Sequence, residues 1–224
     1  MNMLSIIIPV YNEASSIQHF LRTLVRNKKT EVILVDGGST DDTLRLATPL
    51  VDQALLSPCK GRAAQMNYGA SKASGDVLLF LHADTELPEN YFSLIDQVRQ
   101  EGKHLWGRFD VCLSGKAFMF RVIAFMMNQR SRLTGIATGD QAIFVKHRTF
   151  TEVGGFENIP LMEDIAFSRT MKQLSRPACI RQKLQTSSRR WEKQGIWKTI
   201  FLMWRLRLTY FFNASPQELA KKYD

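Results

Sequence analysis

The sequence predicts an α/β fold in which a mostly parallel sheet carries helices on both faces. Short β-branched runs recur along the first eighty residues, segments with helical spacing separate them, and turn residues mark each change. Parallel strands need crossover connections of this kind, so the alternation favours one sheet covered by helices. A length of 224 residues suits one domain, which we expect to span residues 1–224.

The first half alternates strand and helix four times. The predicted strands are Leu4–Val10, Glu31–Val35, Ala54–Leu56 and Asp76–Leu81. The first predicted helix is an amphipathic segment over Ile17–Val25. The second begins at a capping box formed by Ser39 and Asp42 and runs to about Ala47, and the third is Gly61–Lys72.

The second half is less regular. The predicted strands lie near Trp106–Leu113 and Ala142–Val145. The predicted helices lie near Lys116–Gln129 and Glu163–Leu174. A turn is expected at Gly154-Gly155-Phe156, and no linker rich in Pro, Gly or Ser divides the chain.

Composition bounds the partners. The 45% hydrophobic and 23% charged residues are typical of a globular protein, and the net charge of +9 calls for anionic partners. Nucleic acid is disfavoured because no nucleic-acid recognition motif accompanies the charge. Cys59, Cys112 and Cys179 lie far apart without metal-ligand spacing, and no signal-length apolar segment opens the chain. We therefore expect reduced thiols and a cytoplasmic protein.

The C-terminal region combines apolar and basic residues. The segment 196–212 is too interrupted by Lys198, Arg205 and Arg207 to predict a membrane span. A helix packed on the core and a helix lying on a membrane surface both fit this pattern. Peripheral contact with the inner face of the membrane therefore stays open.

Four loops follow predicted strands at the edge of the sheet where α/β proteins bind ligands. They carry Tyr11, Asp36, the Lys60-Gly61-Arg62 segment and His82-Ala83-Asp84. These residue types suit a nucleotide ligand. They supply an aromatic ring, a carboxylate that can bind a base or ribose, cations that can bind phosphate, and an Asp that can bind a hard divalent cation. Taken singly, each residue also has a structural explanation, such as a turn, a cap or a solvated charge.

The order of the motifs is more specific than any one of them. The motifs are Ile8-Pro9-Val10-Tyr11-Asn12-Glu13, Val35-Asp36-Gly37-Gly38-Ser39-Thr40-Asp41, Gly61-Arg62-Ala63-Ala64-Gln65-Met66-Asn67, His82-Ala83-Asp84-Thr85 and Glu163-Asp164. In this order they closely resemble the family-2 glycosyltransferases of GT-A fold, especially a compact bacterial branch. The resemblance implies a Rossmann-like nucleotide-sugar-binding half over about 1–105 and an acceptor half over about 106–224.

The resemblance also implies roles for individual residues. Pro9, Tyr11 and Glu13 would line the base and ribose, Asp36 would hold the base edge, and Lys60 and Arg62 would stand near the base or diphosphate. The matching motifs add Gly38, Gln65 and His82 to the expected substrate-binding residues. Asp84 would ligate Mg²⁺ or Mn²⁺, although His82 stands where the family's Asp-x-Asp motif has its first acid.

Glu163-Asp164 resembles the family's catalytic pair. Asp164 would be the general base of an inverting transfer to an acceptor hydroxyl, and Glu163 its orienting neighbour. Acids are also favoured at a helix start, which is the structural alternative. Asp140 could help to shape the acceptor side, Arg190 could meet the diphosphate and Trp191 could stack on the acceptor, but the Gln of the processive Gln-x-x-Arg-Trp element is missing. Processive polymer synthesis is therefore disfavoured.

Other classes of protein fit the sequence less well. A sugar-phosphate nucleotidyltransferase would open with a Gly-rich loop, whereas Tyr-Asn-Glu stands there, and a dinucleotide-binding dehydrogenase would show Gly-x-Gly-x-x-Gly. A protein that binds nucleotide sugars but has lost transfer is favoured only by His82. The donor sugar, the nucleotide and the acceptor are not predicted by the sequence.

Overall fold

The computed structural model describes residues 3–212, 215–217 and 219. Within these residues the strands are β1 Leu4–Val10, β2 Thr30–Asp36, β3 Gln53–Leu56, β4 Val77–Phe80, β5 Thr85–Glu86, β6 Trp106–Leu113, β7 Phe144–Lys146 and β8 Ala178–Thr186. The α-helices are α1 Ile17–Thr23, α2 Thr43–Ala47, α3 Arg62–Lys72, α4 Tyr91–Glu101, α5 Phe118–Thr134, α6 His147–Glu152, α7 Glu163–Leu174, α8 Arg189–Gln194 and α9 Ile196–Phe211.

The strands form one sheet in the order β3-β2-β1-β4-β7-β6-β8-β5. The first four neighbours are parallel, as the sequence predicts. On β1, Ile6 and Ile8 belong to the buried cluster that includes Ile17 of α1, whereas Ile7 belongs to the cluster that includes Met66 of α3. Alternate side chains of one strand therefore pack against helices on opposite faces, which confirms the predicted fold class.

The second half makes the sheet mixed. β7 is antiparallel to both β4 and β6, and β5 is antiparallel to β8, while β6 and β8 are parallel. β8 was not predicted, because its alternation of apolar and polar residues is broken. The register shift opposite Phe109 and Asp110 leaves Arg181 and Gln182 as extra exposed residues between the buried Ile180 and Leu184.

The predicted capping box at Ser39 is wrong. Helix α2 begins at Thr43, and its N-cap Asp42 makes no side-chain cap hydrogen bond. The Ser39 hydroxyl instead accepts from the Asn12 backbone N–H at 2.8 Å, and the Thr43 hydroxyl accepts from the Glu13 N–H at 2.7 Å. These polar residues fasten the loop after β2 to the loop after β1 rather than capping a helix.

Helix α9 packs on the start of α7. Its Leu206 is 1% exposed and lies in a buried cluster with Met162, Ile165 and Leu219. Among the described residues, no helix is long and apolar enough to cross a bilayer. The alternative of a helix packed on the core is therefore correct for one face of α9.

Candidate active site

A cavity of about 230 Å³ lies at the carboxyl ends of β1 and β4. It is lined by Pro9, Val10, Tyr11, Glu13, Arg62, Gln65, His82, Ala83 and Asp84. Seven of the predicted site residues therefore share one space, although they come from three separate segments of the chain. Parallel strands produce this convergence because their carboxyl ends meet at one edge of the sheet.

Gln65 lies in the wall of this cavity and holds the neighbouring backbone in place. Its side-chain amide nitrogen donates to the backbone oxygens of Val10 and Val35, both at 2.8 Å, and the residue is 5% exposed. Both amide hydrogens are thus used to tie the end of β1 to β2. The side chain helps to position the loop that carries Tyr11, a role the sequence did not predict for Gln65.

Asp36 closes strand β2 and is 1% exposed. Its Oδ1 accepts from the backbone N–H groups of Gly38 and Ser39 at 2.8 and 2.7 Å, and Gly38 adopts a φ of 90° that favours glycine. Asp36, Gly38 and the exposed Lys60 do not line the cavity. Their predicted contacts with a base or diphosphate stay predictions.

A second cavity of about 230 Å³ adjoins the first. The two cavities share Arg62, His82 and Asp84. The second is also lined by predicted residues of the acceptor half, namely Asp140, Glu163, Asp164, Arg190 and Trp191. Asp84 and Asp164 therefore border one continuous region, with Asp84 at the junction.

Asp164 is held in place by two backbone donors at the start of α7. Its Oδ2 accepts from the Gly139 N–H at 2.8 Å, and its Oδ1 accepts from the Ile165 N–H at 2.7 Å. A carboxylate has about four lone-pair sites, so each oxygen keeps the capacity to accept another hydrogen. The side chain is fixed in orientation and still chemically available.

Glu163 occupies a different environment from its neighbour. It is 4% exposed, and its Oε1 lies 3.6 Å from Nη1 of Arg62. Burial, and then the charge of Asp164, raise the pKa of Glu163, and the charge of Arg62 only partly offsets them. Both residues line the second cavity, and Glu163 also links the start of α7 to Arg62.

Replacing Glu163 by Gln is expected to raise the Tm at neutral pH. Because the folded-state pKa is raised, the folded chain binds this proton more tightly than the unfolded chain, and stability falls as pH rises from the ordinary 4.5 through the folded-state pKa. Gln does not ionise, so that fall disappears. Thermal unfolding of both proteins across this pH range checks it, with the exposed Glu152→Gln as control. A Glu163→Gln variant with unchanged or lower Tm at neutral pH would contradict the expected sign.

His82 lies beside Asp140 of the predicted acceptor half. Its Nδ1 lies 3.4 Å from Oδ1 of Asp140. Desolvation raises the pKa of Asp140, but the hydrogen bond and charge of His82, with the charges of Arg62 and Arg207, outweigh it and lower that pKa. A Cβ on Gly139 would come within 2.5 Å of the His82 ring, so glycine at this position permits the approach.

Arg130 is a residue near the site that the sequence analysis missed. Burial, and then the charge of Arg207, lower the pKa of Arg130 to about 10, while Asp164 and Asp140 act in the opposite direction. Its Nε and Nη2 are buried without a hydrogen-bond partner among the described residues. Arg130 lies between Gln129 and Ser131 in the polar part of α5 and belongs to no recognised motif, and only the tertiary packing brings it within electrostatic reach of Asp164.

The side chains at the junction of the two cavities can be compared with the ligands that the predicted metal ion needs. Among the described residues, no group of three or more His, Cys, Asp or Glu side chains is arranged to hold a metal ion. Asp84 is exposed and offers one carboxylate, and His82 is paired with Asp140. Mg²⁺ commonly binds through one or two carboxylates together with substrate phosphates. The residues present thus fit a cation that is bound jointly with an anionic substrate.

Comparison with known sequences decides the family. The pattern described as "Glycosyl transferase family 2" matches residues 5–155, which is more than half of the chain. The chain belongs to glycosyl transferase family 2. Residues 5–155 include both loops of the β1–β2 pair, the start of α3 and the His82-Ala83-Asp84 segment. The predicted family is therefore confirmed.

Curated relatives of this family-2 glycosyltransferase are longer proteins. An undecaprenyl-phosphate 4-deoxy-4-formamido-L-arabinose transferase of Klebsiella pneumoniae (strain 342) is 29% identical over 156 residues, which are 63% of this chain and 47% of that protein. The protein of the same name from Yersinia pestis (strain Pestoides F) is 31% identical, with the same coverage. The chain spans about half the length of these relatives.

Solved structures confirm the GT-A fold of this family-2 glycosyltransferase. Mannosyltransferase PcManGT from Pyrobaculum calidifontis, in complex with GDP-Man and Mn²⁺, superposes with a TM-score of 0.63 at 21% identity, covering 91% of this chain and 60% of that one. S. aureus TarS 1-349 in complex with UDP-GlcNAc gives a TM-score of 0.65 at 16% identity, covering 83% and 58%.

Proposed function

We propose that this glycosyltransferase moves a sugar from a nucleoside-diphosphate sugar to a hydroxyl of a separate acceptor, with inversion at the anomeric carbon and dependence on Mg²⁺ or Mn²⁺. The observation that carries the proposal is the position of Asp84 at the junction of two cavities, one bordered by the loop after β1 and the other by Asp164. Donor and acceptor would occupy the two cavities and meet beside Asp84.

The first cavity suits the donor. The Tyr11 ring is 54% exposed and available to stack on a base, and Arg62 contributes a cation beside the start of α3. Anions are favoured at a helix N-terminus, where backbone N–H groups point outward. The complexes of TarS with UDP-GlcNAc and of PcManGT with GDP-Man support a donor of this chemical class.

The second cavity suits the acceptor and the base. As the acceptor oxygen forms a bond to the anomeric carbon, the bond from that carbon to the diphosphate oxygen breaks, and the hydroxyl proton passes to Asp164. The fixed carboxylate of Asp164 can take this proton without reorienting. A cation held by Asp84 and the diphosphate would offset the negative charge on the leaving group. Arg190 and Trp191 line the same cavity and would contact the acceptor.

A second candidate is a protein that retains donor binding but has lost transfer. The replacement of the family's first metal-binding acid by His82, and its pairing with Asp140, favour it. We propose the active enzyme instead, because Asp84 and Asp164 are both present and border one region.

The expected setting of the protein is the cytoplasm, and the unpaired Cys59, Cys112 and Cys179 support that expectation.

A donor screen tests the proposal. Thermal unfolding with a panel of nucleotide sugars, with and without Mn²⁺, should identify a donor that stabilises the fold by about 2.7 kcal/mol at a hundredfold excess over Kd. NMR of the sugar released or transferred from that donor should then show the inverted anomer. Stabilisation without turnover would favour the binding protein. No stabilisation by any nucleotide sugar would contradict the proposal.

A further inference from the structure

Helix α9 exposes a continuous row of large apolar side chains. Each of them is 59–73% exposed, namely Trp197, Phe201, Trp204, Leu208, Phe211 and Phe212. Their spacing of three and four residues places them on one face of the helix. A contiguous apolar surface of this kind, with four aromatic rings along the helix itself, indicates an interaction site rather than a solvated face.

The opposite face of α9 packs on the protein. Thr199 and Leu206 are each 1% exposed, and Leu206 clusters with Leu219 as well as with α7. Leu219, which follows α9, therefore packs on the buried side of the helix. None of the described residues covers the aromatic row.

Helix α5 presents a similar surface. Its exposed large apolar residues are Phe118, Val122, Phe125, Met126 and Leu133. Its buried side packs on β6, and Ala124 lies in the buried cluster that includes Phe109 and Val111. Met127 of α5 and Met203 of α9 both line the second cavity, so the two helices border the same part of the protein.

The charges on these two helices are all of one sign. The sequences 118–134 and 196–211 contain no Asp or Glu, and their basic residues are Arg121, Arg130, Arg132, Lys198, Arg205 and Arg207. Arg121, Lys198 and Arg205 are exposed beside the apolar residues. Two copies of this face would oppose cation to cation, whereas an anionic surface would neutralise the charge. Tryptophan and basic side chains beside an apolar face are typical of helices that lie in a lipid interface.

We propose that the exposed faces of α5 and α9 form a docking surface for an anionic lipid bilayer. The aromatic and aliphatic side chains would enter the boundary between headgroups and acyl chains, and Lys198 and Arg205 would contact lipid phosphates. Docking would bring the second cavity close to the headgroups. Binding of this surface to the bilayer would not require sugar transfer.

Vesicle binding by the full chain tests this surface. The protein is sedimented with mixed phosphatidylcholine–phosphatidylglycerol vesicles and with pure phosphatidylcholine vesicles. We expect preferential binding to the anionic vesicles and a blue shift of tryptophan fluorescence from Trp197 and Trp204. The triple variant Trp197→Ser, Phe201→Ser, Trp204→Ser should bind at least ~10-fold more weakly, because it removes three large aromatic side chains from the inserted row, including both of its tryptophans. The control variant Val25→Ser, Leu56→Ser, Leu174→Ser removes exposed apolar residues elsewhere and should bind normally.

Charge is tested separately. Lys198→Gln and Arg205→Gln should each weaken binding about fivefold, whereas the exposed Lys28→Gln and Lys29→Gln should have little effect. Absence of binding to anionic vesicles, or equal binding by the α9 triple variant, would overturn the proposal. Vesicle-free dimerisation that the triple variant abolishes, without vesicle binding by the wild type, would also overturn it. Donor stabilisation is measured on the same proteins, so failure of docking and failure of the proposed sugar transfer are told apart.

Discussion

Asp164→Asn is expected to lower kcat at least ~10²-fold while donor affinity stays near that of the wild type. The amide is nearly the same size as the carboxylate but does not take a proton from the acceptor hydroxyl. One of the two backbone donors, from Gly139 or Ile165, would then face an amide N–H, so a stability loss of about 1 kcal/mol is also expected. Steady-state kinetics and donor titration on the same preparation measure both effects.

The matched control for this variant is Asp96→Asn. Asp96 lies on α4, pairs with Arg99 and borders neither of the two cavities. Its replacement should leave kcat unchanged. If Asp164→Asn loses donor binding instead of turnover, Asp164 contacts the donor, and the assignment of the base is wrong.

Asp84→Asn is expected to remove the stimulation of turnover by Mn²⁺ and to lower the metal-dependent rate by more than ~10²-fold. An amide is a much weaker ligand for a hard cation than a carboxylate. The fold should survive, because Asp84 is exposed. Its side chain accepts a hydrogen bond from the Thr85 hydroxyl at 3.3 Å, and the amide oxygen of Asn can accept the same hydrogen bond. Activity at graded Mn²⁺ concentrations and the thermal unfolding curve give the two readouts.

Glu86→Gln controls for the general loss of negative charge beside the site. Glu86 is exposed two residues after Asp84 and lines neither the donor nor the acceptor cavity. It should keep its Mn²⁺ response. Unchanged Mn²⁺ stimulation in Asp84→Asn would remove Asp84 from the metal site and leave the cation without a carboxylate at the junction.

The nucleotide half of the fold could be predicted because its signals are local. β1 is a run of β-branched residues whose bounds the sequence gives residue for residue, and α3 starts one residue after the predicted Gly61. Each strand ends at a polar loop, and the parallel topology alone brings Tyr11, Arg62 and Asp84 to one cavity. Topology, rather than any single motif, made this part of the site predictable.

The remainder depends on tertiary contacts that leave no local pattern. β8 is interrupted by the extra residues Arg181 and Gln182. Helix α4 was also missed, and its buried residues are Tyr91 and Ile95. Arg130 comes near Asp164 only through the packing of α5. Asp36 shapes its own loop through two backbone hydrogen bonds to Oδ1, a role that the sequence analysis did not include, and its predicted contact with the base stays a prediction.

A crystal structure with Mn²⁺ and the nucleoside diphosphate of the preferred donor would show directly whether donor and cation meet beside Asp84. We expect the base against Tyr11 in the first cavity, the diphosphate and cation at Asp84, and an open second cavity in front of Asp164. A nucleotide bound in the second cavity, or bound away from Asp84, would contradict the proposed arrangement of donor and acceptor.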